Sequence, residues 1–147
     1  MSDATDPTGV RAAGPADIPA VLALWVRARS LAASTPDTPE TVRRLLERDP
    51  GALLVAETSG ADAALVGALI AAWDGWRGSM YRLAVDPPHR RQGIALALVR
   101  AGERRLRAQG AKRVTALVAH EEADAVGLWA AAGYARDEAI VRFVRDL

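Results

Sequence analysis

Two stretches in the first third of the chain carry apolar residues at helical spacing. The first follows the i, i+3, i+4, i+7 pattern of a helix with one buried face: Ile18, Val21, Leu22 and Trp25. Asp17 directly precedes this stretch and is a candidate N-cap. The second stretch begins at Thr38-Pro39-Glu40, where a cap residue, a proline at the first helical position and an acid in the first turn coincide. The pattern predicts two successive helices.

The middle of the chain is typical of strands joined by tight turns. Apolar runs cover residues 53–57 and 65–73, and a polar turn that contains Gly60 separates them. A third run, residues 79–86, ends at Pro87-Pro88, because proline has no N–H to donate to a sheet. Shorter strands are predicted at residues 10–13, 114–119 and 139–145.

The strongest helical pattern spans residues 93–109. Its predicted buried stripe consists of Ala95, Leu98, Val99, Gly102 and Leu106. Gly110 follows at the position where a glycine commonly ends a helix. A shorter, alanine-rich helix is predicted at residues 123–132 and is closed by Gly133.

These elements follow one another as strand, two helices, three strands, helix, strand, helix and strand. This order predicts a mixed α/β fold with a central meander, and it differs from the strict alternation of a doubly wound sheet. The chain shows no internal repeat and no linker. Residues 10–147 are therefore expected to form a single domain behind a flexible tail of residues 1–9.

Composition narrows the classes of function. The 147 residues include no cysteine, which excludes disulfides, thiolate metal sites and a cysteine nucleophile. The formal net charge of +1 argues against a nucleic-acid surface, which requires a clearly basic face. The only histidines, His89 and His120, lack metal-ligand spacing, so no metal is expected. No secretory leader and no apolar run long enough for a bilayer is visible, so we expect a cytoplasmic protein without membrane contact.

The candidate chemistry lies between the third apolar run and the long helix. Free N–H groups at a helix start, together with the positive end of the helix dipole, form a site for an anion such as a phosphate. Gly93 allows a ligand to approach the backbone closely, and Arg90 and Arg91 add positive charge. Charge-assisted hydrogen bonds contribute about 1.5–3 kcal/mol each, whereas micromolar affinity requires about 8 kcal/mol. Several donors must therefore act together on a ligand that also makes other contacts.

These residues also carry a resemblance to a known family. The run Arg90-Arg91-Gln92-Gly93-Ile94-Ala95 matches the (Gln/Arg)-x-x-Gly-x-(Gly/Ala) signature of GNAT acetyltransferases, and the preceding Leu83-Ala84-Val85-Asp86-Pro87 is their usual lead-in. Leu128-Trp129-Ala130-Ala131-Ala132-Gly133-Tyr134 resembles their later aliphatic-Tyr-x-x-x-Gly-(Phe/Tyr) segment. The turn Trp73-Asp74-Gly75-Trp76-Arg77-Gly78-Ser79 is similar to that of the YpeA-like bacterial branch. The order of elements fits from about Val10 to the C-terminus.

The resemblance implies the fold and the reaction. The fold would be the GNAT fold, a mixed and mostly antiparallel sheet of six to seven strands flanked by about four helices. The activity would be N-acetyl transfer from acetyl-CoA, used as a co-substrate, to a primary amine of a protein or a small molecule by direct attack. Members of the family often dimerise, so a homodimer is left open.

The resemblance also implies the residues that bind acetyl-CoA. Its pyrophosphate would bind beside Arg90, on the backbone N–H groups of Arg91, Gln92, Gly93, Ile94, Ala95 and Leu96. Its pantetheine arm would pair with the backbone of Leu83, Ala84 and Val85, and an N–H of this strand would polarise the thioester carbonyl. In this fold that strand and the next one diverge, and the thioester lies in the gap. Trp129 is expected to pack against the cofactor.

The catalytic groups depart from the family pattern. The usual proton-donating tyrosine is replaced by Trp129, whose indole is no acid at physiological pH, and the usual asparagine is Glu122. Candidate catalytic residues are His120, Glu121 and Tyr81, although a polar loop explains His120 and Glu121 more simply, and a core aromatic explains Tyr81 more simply. An alternative function is therefore a non-catalytic, acyl-CoA-binding regulatory module with a GNAT fold. The turn residues Trp73, Trp76 and Arg77 are predicted either to line an acceptor pocket or to serve the turn alone.

Overall fold

The computed structural model describes residues 8–28, 37–118 and 123–147 as one sheet with helices on both faces. The strands lie in the order β1-β2-β3-β4-β5: Thr8–Ala12, Leu53–Thr58, Leu65–Trp73, Gly78–Val85 and Val114–Ala116. β1 to β4 pair antiparallel, whereas β5 is parallel to β4. The helices are α1 (Ile18–Ala28), α2 (Pro39–Arg48), α3 (Ile94–Gln109) and α4 (Ala123–Ala131).

The sheet separates two apolar clusters. On one face α1 contributes Val21 and Leu24, which are fully buried in a cluster that includes Ile70 of β3. On the other face α3 contributes Leu98, which is fully buried in a cluster with Met80 of β4. The period of the apolar residues in α1 and α3 thus produces one buried stripe per helix, as predicted.

Glycines allow α3 to lie unusually close to the sheet. A Cβ atom at Gly102 would stand 2.6 Å from Met80 Cε, and a Cβ atom at Gly67 would stand 3.0 Å from Leu98 Cδ1. Because these positions have no side chain, the helix axis can approach β3 and β4 directly. This packing fixes the start of α3 next to the end of β4.

Several predicted boundaries are confirmed. Thr38 caps α2, since its hydroxyl oxygen accepts a hydrogen bond from Thr41 N at 3.1 Å, and Pro39 is the first residue of the helix. β3 spans the predicted residues, and Gly110 ends α3 in the left-handed conformation. Asp17, expected as the N-cap of α1, lies instead in a short 3-10 helix, and its carboxylate accepts a hydrogen bond from Gly14 N at 2.8 Å.

The predicted strand at residues 139–145 is wrong. In the described residues the sheet has five strands, fewer than the six to seven expected, and this segment joins none of them. Its apolar side chains are exposed, with Phe143 at 93%. A short run rich in β-branched and aromatic residues favours extended backbone, but a strand also requires a partner, which the run does not supply.

Two residues of the predicted tail of residues 1–9 belong to the sheet. β1 begins at Thr8, two residues inside the predicted tail, because this segment pairs with β2. Residues 1–7 lie outside the described ranges. A single domain over residues 10–147 stays a prediction.

Candidate functional site

β4 has an unpaired backbone edge beyond its short contact with β5. The parallel pairing ends at Met80 and Ala116, after which Leu117 N donates a hydrogen bond to Met80 O at 3.1 Å. β4 nevertheless continues to Val85, and no strand in the described ranges pairs with this edge past Met80. The pairing with β5 therefore covers only the first part of β4, and the divergence of the two strands stays a prediction.

β4 contains a β-bulge just past its last pair with β5. Ile70 pairs with Tyr81 and Ala68 pairs with Ala84, so β4 holds one residue more than β3 in this interval. Arg82 lies within the bulge and adopts a left-handed conformation with φ of 57°. The bulge therefore changes which backbone groups face each neighbour.

The extra residue inverts the direction of the backbone groups that follow it. Met80 O points towards β5, whereas Asp86 N points towards β3, where it donates to Val66 O at 2.8 Å. In a regular strand, residues an even number apart direct their N–H and C=O groups to the same side. Because of the bulge, Leu83 and Val85 direct these groups to the open edge. This edge offers a ladder to an extended ligand.

The turn between β4 and α3 presents a row of unpaired N–H groups. Arg91 and Gly93 are both left-handed, with φ of 63° and 81°, and Gly93 precedes α3 as an N-cap that has no side chain. The first turn of a helix has no internal acceptors for its N–H groups. Six consecutive N–H groups therefore have no acceptor in the described part of the chain: those of Arg91, Gln92, Gly93, Ile94, Ala95 and Leu96.

Two arginines add positive charge to this turn. Arg90 and Arg91 are both exposed, and Arg90 Nε donates a hydrogen bond of 3.3 Å to Val85 O, the last carbonyl of β4. The nearby carboxylate of Asp86 is paired with Arg27 of α1 at 3.1 Å. Because that negative charge is compensated, the potential at the row of N–H groups remains favourable for an anion.

The predicted binding residues fall into one contiguous region, with one exception. Leu83 to Leu96 form the end of β4, the turn and the first turn of α3, whereas Trp129 lies on α4. Trp129 is 6% exposed and packs edge-on against Tyr134, with ring centroids 4.9 Å apart. It shares an apolar cluster with Val85 and Ile94. Contact between Trp129 and the cofactor stays a prediction.

Tyr81 is the one candidate catalytic residue inside the described ranges. It is the first residue of β4 past the last pair with β5, and its side chain packs on the face of α1 and α2. Burial, with a smaller contribution from the charge of Asp49, raises the pKa of the Tyr81 phenol above its ordinary value of 10.0. The phenol is therefore protonated at neutral pH and suits a proton donor better than a base. His120 and Glu121 lie outside the described residues.

The residues Trp73, Trp76 and Arg77 serve a tight turn between β3 and β4. The Asp74 carboxylate accepts hydrogen bonds from Trp76 N at 2.7 Å and from Arg77 N at 2.6 Å. These bonds, the one from Arg77 first, lower the pKa of Asp74. The Trp76 side chain is 82% exposed. The geometry favours the structural explanation of this motif over an acceptor pocket.

Sequence reasoning missed the ion pair between Arg82 and Asp37. The two side chains lie 2.7 Å apart, and the Arg82 guanidinium also stands 5.6 Å from the centre of the Trp25 ring. The spacing in the sequence reveals neither the bulge nor the partner of Arg82, because Tyr81, Leu83 and Val85 alternate as in a regular strand.

One cavity in the described residues lies away from this region. A cavity of about 410 Å³ lies at the C-terminal end of α3, where Glu103, Arg107 and Tyr134 line it, and it contains none of the predicted binding residues. Within the described ranges, no helix is long and apolar enough to cross a membrane. Those ranges also contain no group of three or more His, Asp or Glu side chains that could hold a metal ion.

Known proteins share both the sequence pattern and the fold. The sequence model of the acetyltransferase (GNAT) family matches residues 18–134. An acetyltransferase of Pectobacterium atrosepticum is 35% identical over 113 residues, which are 77% of this chain and 77% of that protein. Ard1 from Thermoplasma volcanium superposes with a TM-score of 0.75 at 22% identity, covering 88% of this chain and 83% of that one. A chain of the NatC complex, solved with Gag peptide and CoA, superposes with a TM-score of 0.75 at 19% identity, covering 89% and 86%.

Proposed function

Because the chain belongs to the GNAT acetyltransferase family, we propose that it transfers the acetyl group of acetyl-CoA to a primary amine by direct attack of the amine nitrogen on the thioester carbonyl. The observation that carries this proposal is the row of six unpaired N–H groups beside the open edge of β4. A ligand with a phosphate group at one end and amide groups along an arm matches both features at once.

The described residues suit acetyl-CoA part by part. The row of N–H groups from Arg91 to Leu96 would hold the pyrophosphate, with about 1.5–3 kcal/mol from each charge-assisted hydrogen bond. The N–H and C=O groups of Leu83 and Val85 would pair with the amides of the pantetheine arm. The bound cofactor supplies an activated acyl group, and the strand edge sets its orientation in the gap between β4 and β5.

The amine must lose a proton before it can attack. An alkylamine with a pKa near 10.4 is about 0.04% neutral at pH 7, so deprotonation costs roughly 4–5 kcal/mol. We propose that a base on the acceptor side of the gap helps this step, and His120 and Glu121 remain the candidates. Both lie outside the described residues.

We expect Tyr81→Phe to lower kcat by on the order of 10²-fold, because Tyr81 directly follows the last pair of β4 with β5 and its protonated phenol would donate to the departing thiolate. The KM for acetyl-CoA should stay within a few-fold of wild type, since the phenol makes no part of the row of N–H groups. Steady-state release of free thiol measures both constants. An unchanged kcat would show that Tyr81 only packs against α1 and α2.

Calorimetric titration with acetyl-CoA, followed by thiol release with a panel of amines, tests the proposed function. The panel contains a peptide α-amine, a lysine side chain, a polyamine and an aminoglycoside-like amine. We expect micromolar binding and turnover with at least one amine above the rate of hydrolysis. Absence of binding would contradict the assignment of the turn from Arg90 to Ala95.

The alternative function is a regulatory module that binds acyl-CoA without turning it over. One observation favours it: Trp129 stands where the family pattern has a tyrosine, and its indole is buried in the core. Tight binding without thiol release across the panel would support this alternative. Replacing Trp129 with tyrosine would then test whether the missing acid alone accounts for the absence of turnover.

A further inference from the structure

Two ion pairs bracket the open edge of β4. At one end Arg82 pairs with Asp37 at 2.7 Å, and at the other end Asp86 pairs with Arg27 at 3.1 Å. Arg27 lies in the last turn of α1, and Asp37 directly precedes Thr38, the N-cap of α2. Both ends of the edge are therefore tied to the two helices that cover the same face of the sheet.

The pair at Arg82 is the more enclosed of the two. The side chains of Arg82 and Asp37 are 15% and 13% exposed, whereas Arg27 is 45% exposed. The Arg82 guanidinium also lies 5.6 Å from the centre of the Trp25 ring, in the range of a cation–π contact. The position of the Arg82 side chain is therefore set by contacts with both α1 and the start of α2.

The backbone of Arg82 is unfavourable without such support. A left-handed conformation costs free energy for any residue other than glycine, and it persists only where the surroundings determine it. Arg82 adopts it with φ of 57° in the middle of a strand. The bulge at this residue is what turns the N–H groups of Leu83 and Val85 to the open edge.

We propose that Asp37 and Arg82 are positioning residues for acetyl transfer. By holding the Arg82 side chain, Asp37 stabilises the left-handed backbone of the bulge and thereby keeps the edge of Leu83 and Val85 aimed at the thioester and pantetheine arm. This inference rests on the proposed function. It assigns Arg82 a role through the backbone of its own strand and no contact with either substrate.

Two substitutions at Arg82 separate the backbone role from a side-chain role. Glycine adopts the left-handed conformation without penalty, whereas alanine does not. We expect Arg82→Ala to lower kcat/KM for acetyl-CoA at least 10-fold and Arg82→Gly to lower it less than 3-fold. Asp37→Asn should also lower kcat/KM for acetyl-CoA, as Arg82→Ala does. Arg44→Gln is the matched control, because Arg44 pairs with Glu40 on the exposed surface of α2. Its kcat/KM for acetyl-CoA should equal that of the wild-type protein.

Two binding measurements locate the defect. The affinity for 3′-phosphoadenosine 5′-diphosphate, the nucleotide half of CoA, should change less than 3-fold in Arg82→Ala, because that half binds the turn before α3. The affinity for acetyl-CoA should fall at least 10-fold, because the arm loses its ladder. Equal losses in Arg82→Ala and Arg82→Gly would overturn the proposal and indicate direct contact of the guanidinium with a substrate. An unchanged affinity for acetyl-CoA in Arg82→Ala would also overturn the proposal.

Amide hydrogen exchange tests the bulge independently of activity. Exchange at the amides of Met80 to Asp86 should accelerate at least 10-fold in Arg82→Ala and stay within 3-fold of wild type in Arg82→Gly. The wild-type protein could bind no acetyl-CoA while the exchange rates of Arg82→Ala and Arg82→Gly still differ in this way. The proposed function would then fail, and the structural part of the inference would stand. If exchange is the same in all variants, the pair does not hold the bulge and the inference is wrong.

Discussion

Gly93→Glu is expected to abolish acetyl-CoA binding while the domain remains folded. Nothing lies within 4 Å of a Cβ atom at this position, so the side chain meets no clash. Its carboxylate would compete for the N–H groups of the turn and repel a phosphate. Loss of two charge-assisted hydrogen bonds, at about 1.5–3 kcal/mol each, corresponds to about 10²–10⁴-fold in affinity.

The cost of this substitution to folding is small by comparison. Gly93 is left-handed with φ of 81°, a conformation that costs other residues roughly 1–2 kcal/mol. The free energy of unfolding of an ordinary domain is about 5–15 kcal/mol, so most of the stability remains after the substitution. Calorimetric titration measures the affinity, and the circular dichroism melting curve shows whether the protein is folded.

Gly110→Glu provides a matched control at the other end of the same helix. Gly110 is also left-handed, with φ of 109°, and a Cβ atom there also has no neighbour within 4 Å. The backbone cost and the added charge are therefore similar, but the substitution lies about 24 Å from the turn at 1.5 Å per helical residue. Its affinity for acetyl-CoA should stay within a few-fold of wild type. A folded Gly93→Glu protein that binds as tightly as this control would contradict the placement of the phosphate.

Leu98→Ala is expected to lower the free energy of unfolding by about 2–5 kcal/mol. Leu98 is fully buried between α3 and the sheet, where its Cδ1 lies against Gly67. The loss combines the transfer free energy of the removed atoms with the cavity that remains, because α3 already touches the sheet and cannot collapse further. Urea unfolding at 25 °C measures the effect as a shift in midpoint at constant slope.

Leu96→Ala is the control for this stability measurement. It makes the same chemical change two residues earlier on α3, where the leucine is 41% exposed. Its effect on the free energy of unfolding should stay within about 0.5 kcal/mol, as for most surface substitutions. Equal losses in the two variants would mean that α3 does not pack on the sheet through Leu98.

Local signals predicted much of the fold. Proline, glycine and cap residues act on the backbone of their own segment, so the start of α2 at Pro39 and the end of α3 at Gly110 could be predicted directly. The row of N–H donors follows from the same kind of signal, because a glycine before an uncapped helix leaves its first turn open. The turn at Asp74 is local in the same sense, and only its function was left undecided.

Interactions between distant segments could not be predicted in this way. Asp37 and Arg82 are 45 positions apart in the printed sequence, and charge alone does not select one carboxylate for one arginine. The segment 139–145 shows the opposite error, because a run of β-branched and aromatic residues predicted a strand that has no neighbouring strand in the described residues. The bulge in β4 could not be predicted either, because Tyr81, Leu83 and Val85 alternate regularly and the reversal of the strand edge becomes evident only from hydrogen bonds on both sides.

The row of donors between Arg91 and Leu96 consists of main-chain groups, and this has a consequence for how such a protein is studied and how it diverges. Alanine scanning removes side chains and leaves every one of these donors in place. A scan of the turn would therefore miss the contribution of the main-chain donors to the affinity for acetyl-CoA, even if these donors provide most of it. Replacement of single amides by esters would reveal it instead. Over evolutionary time the exposed side chains of Gln92 and Leu96 can change freely, provided that the left-handed backbone at Arg91 and Gly93 and the helix start persist. Relatives could thus retain the same binding chemistry after their side chains in this turn have ceased to resemble one another.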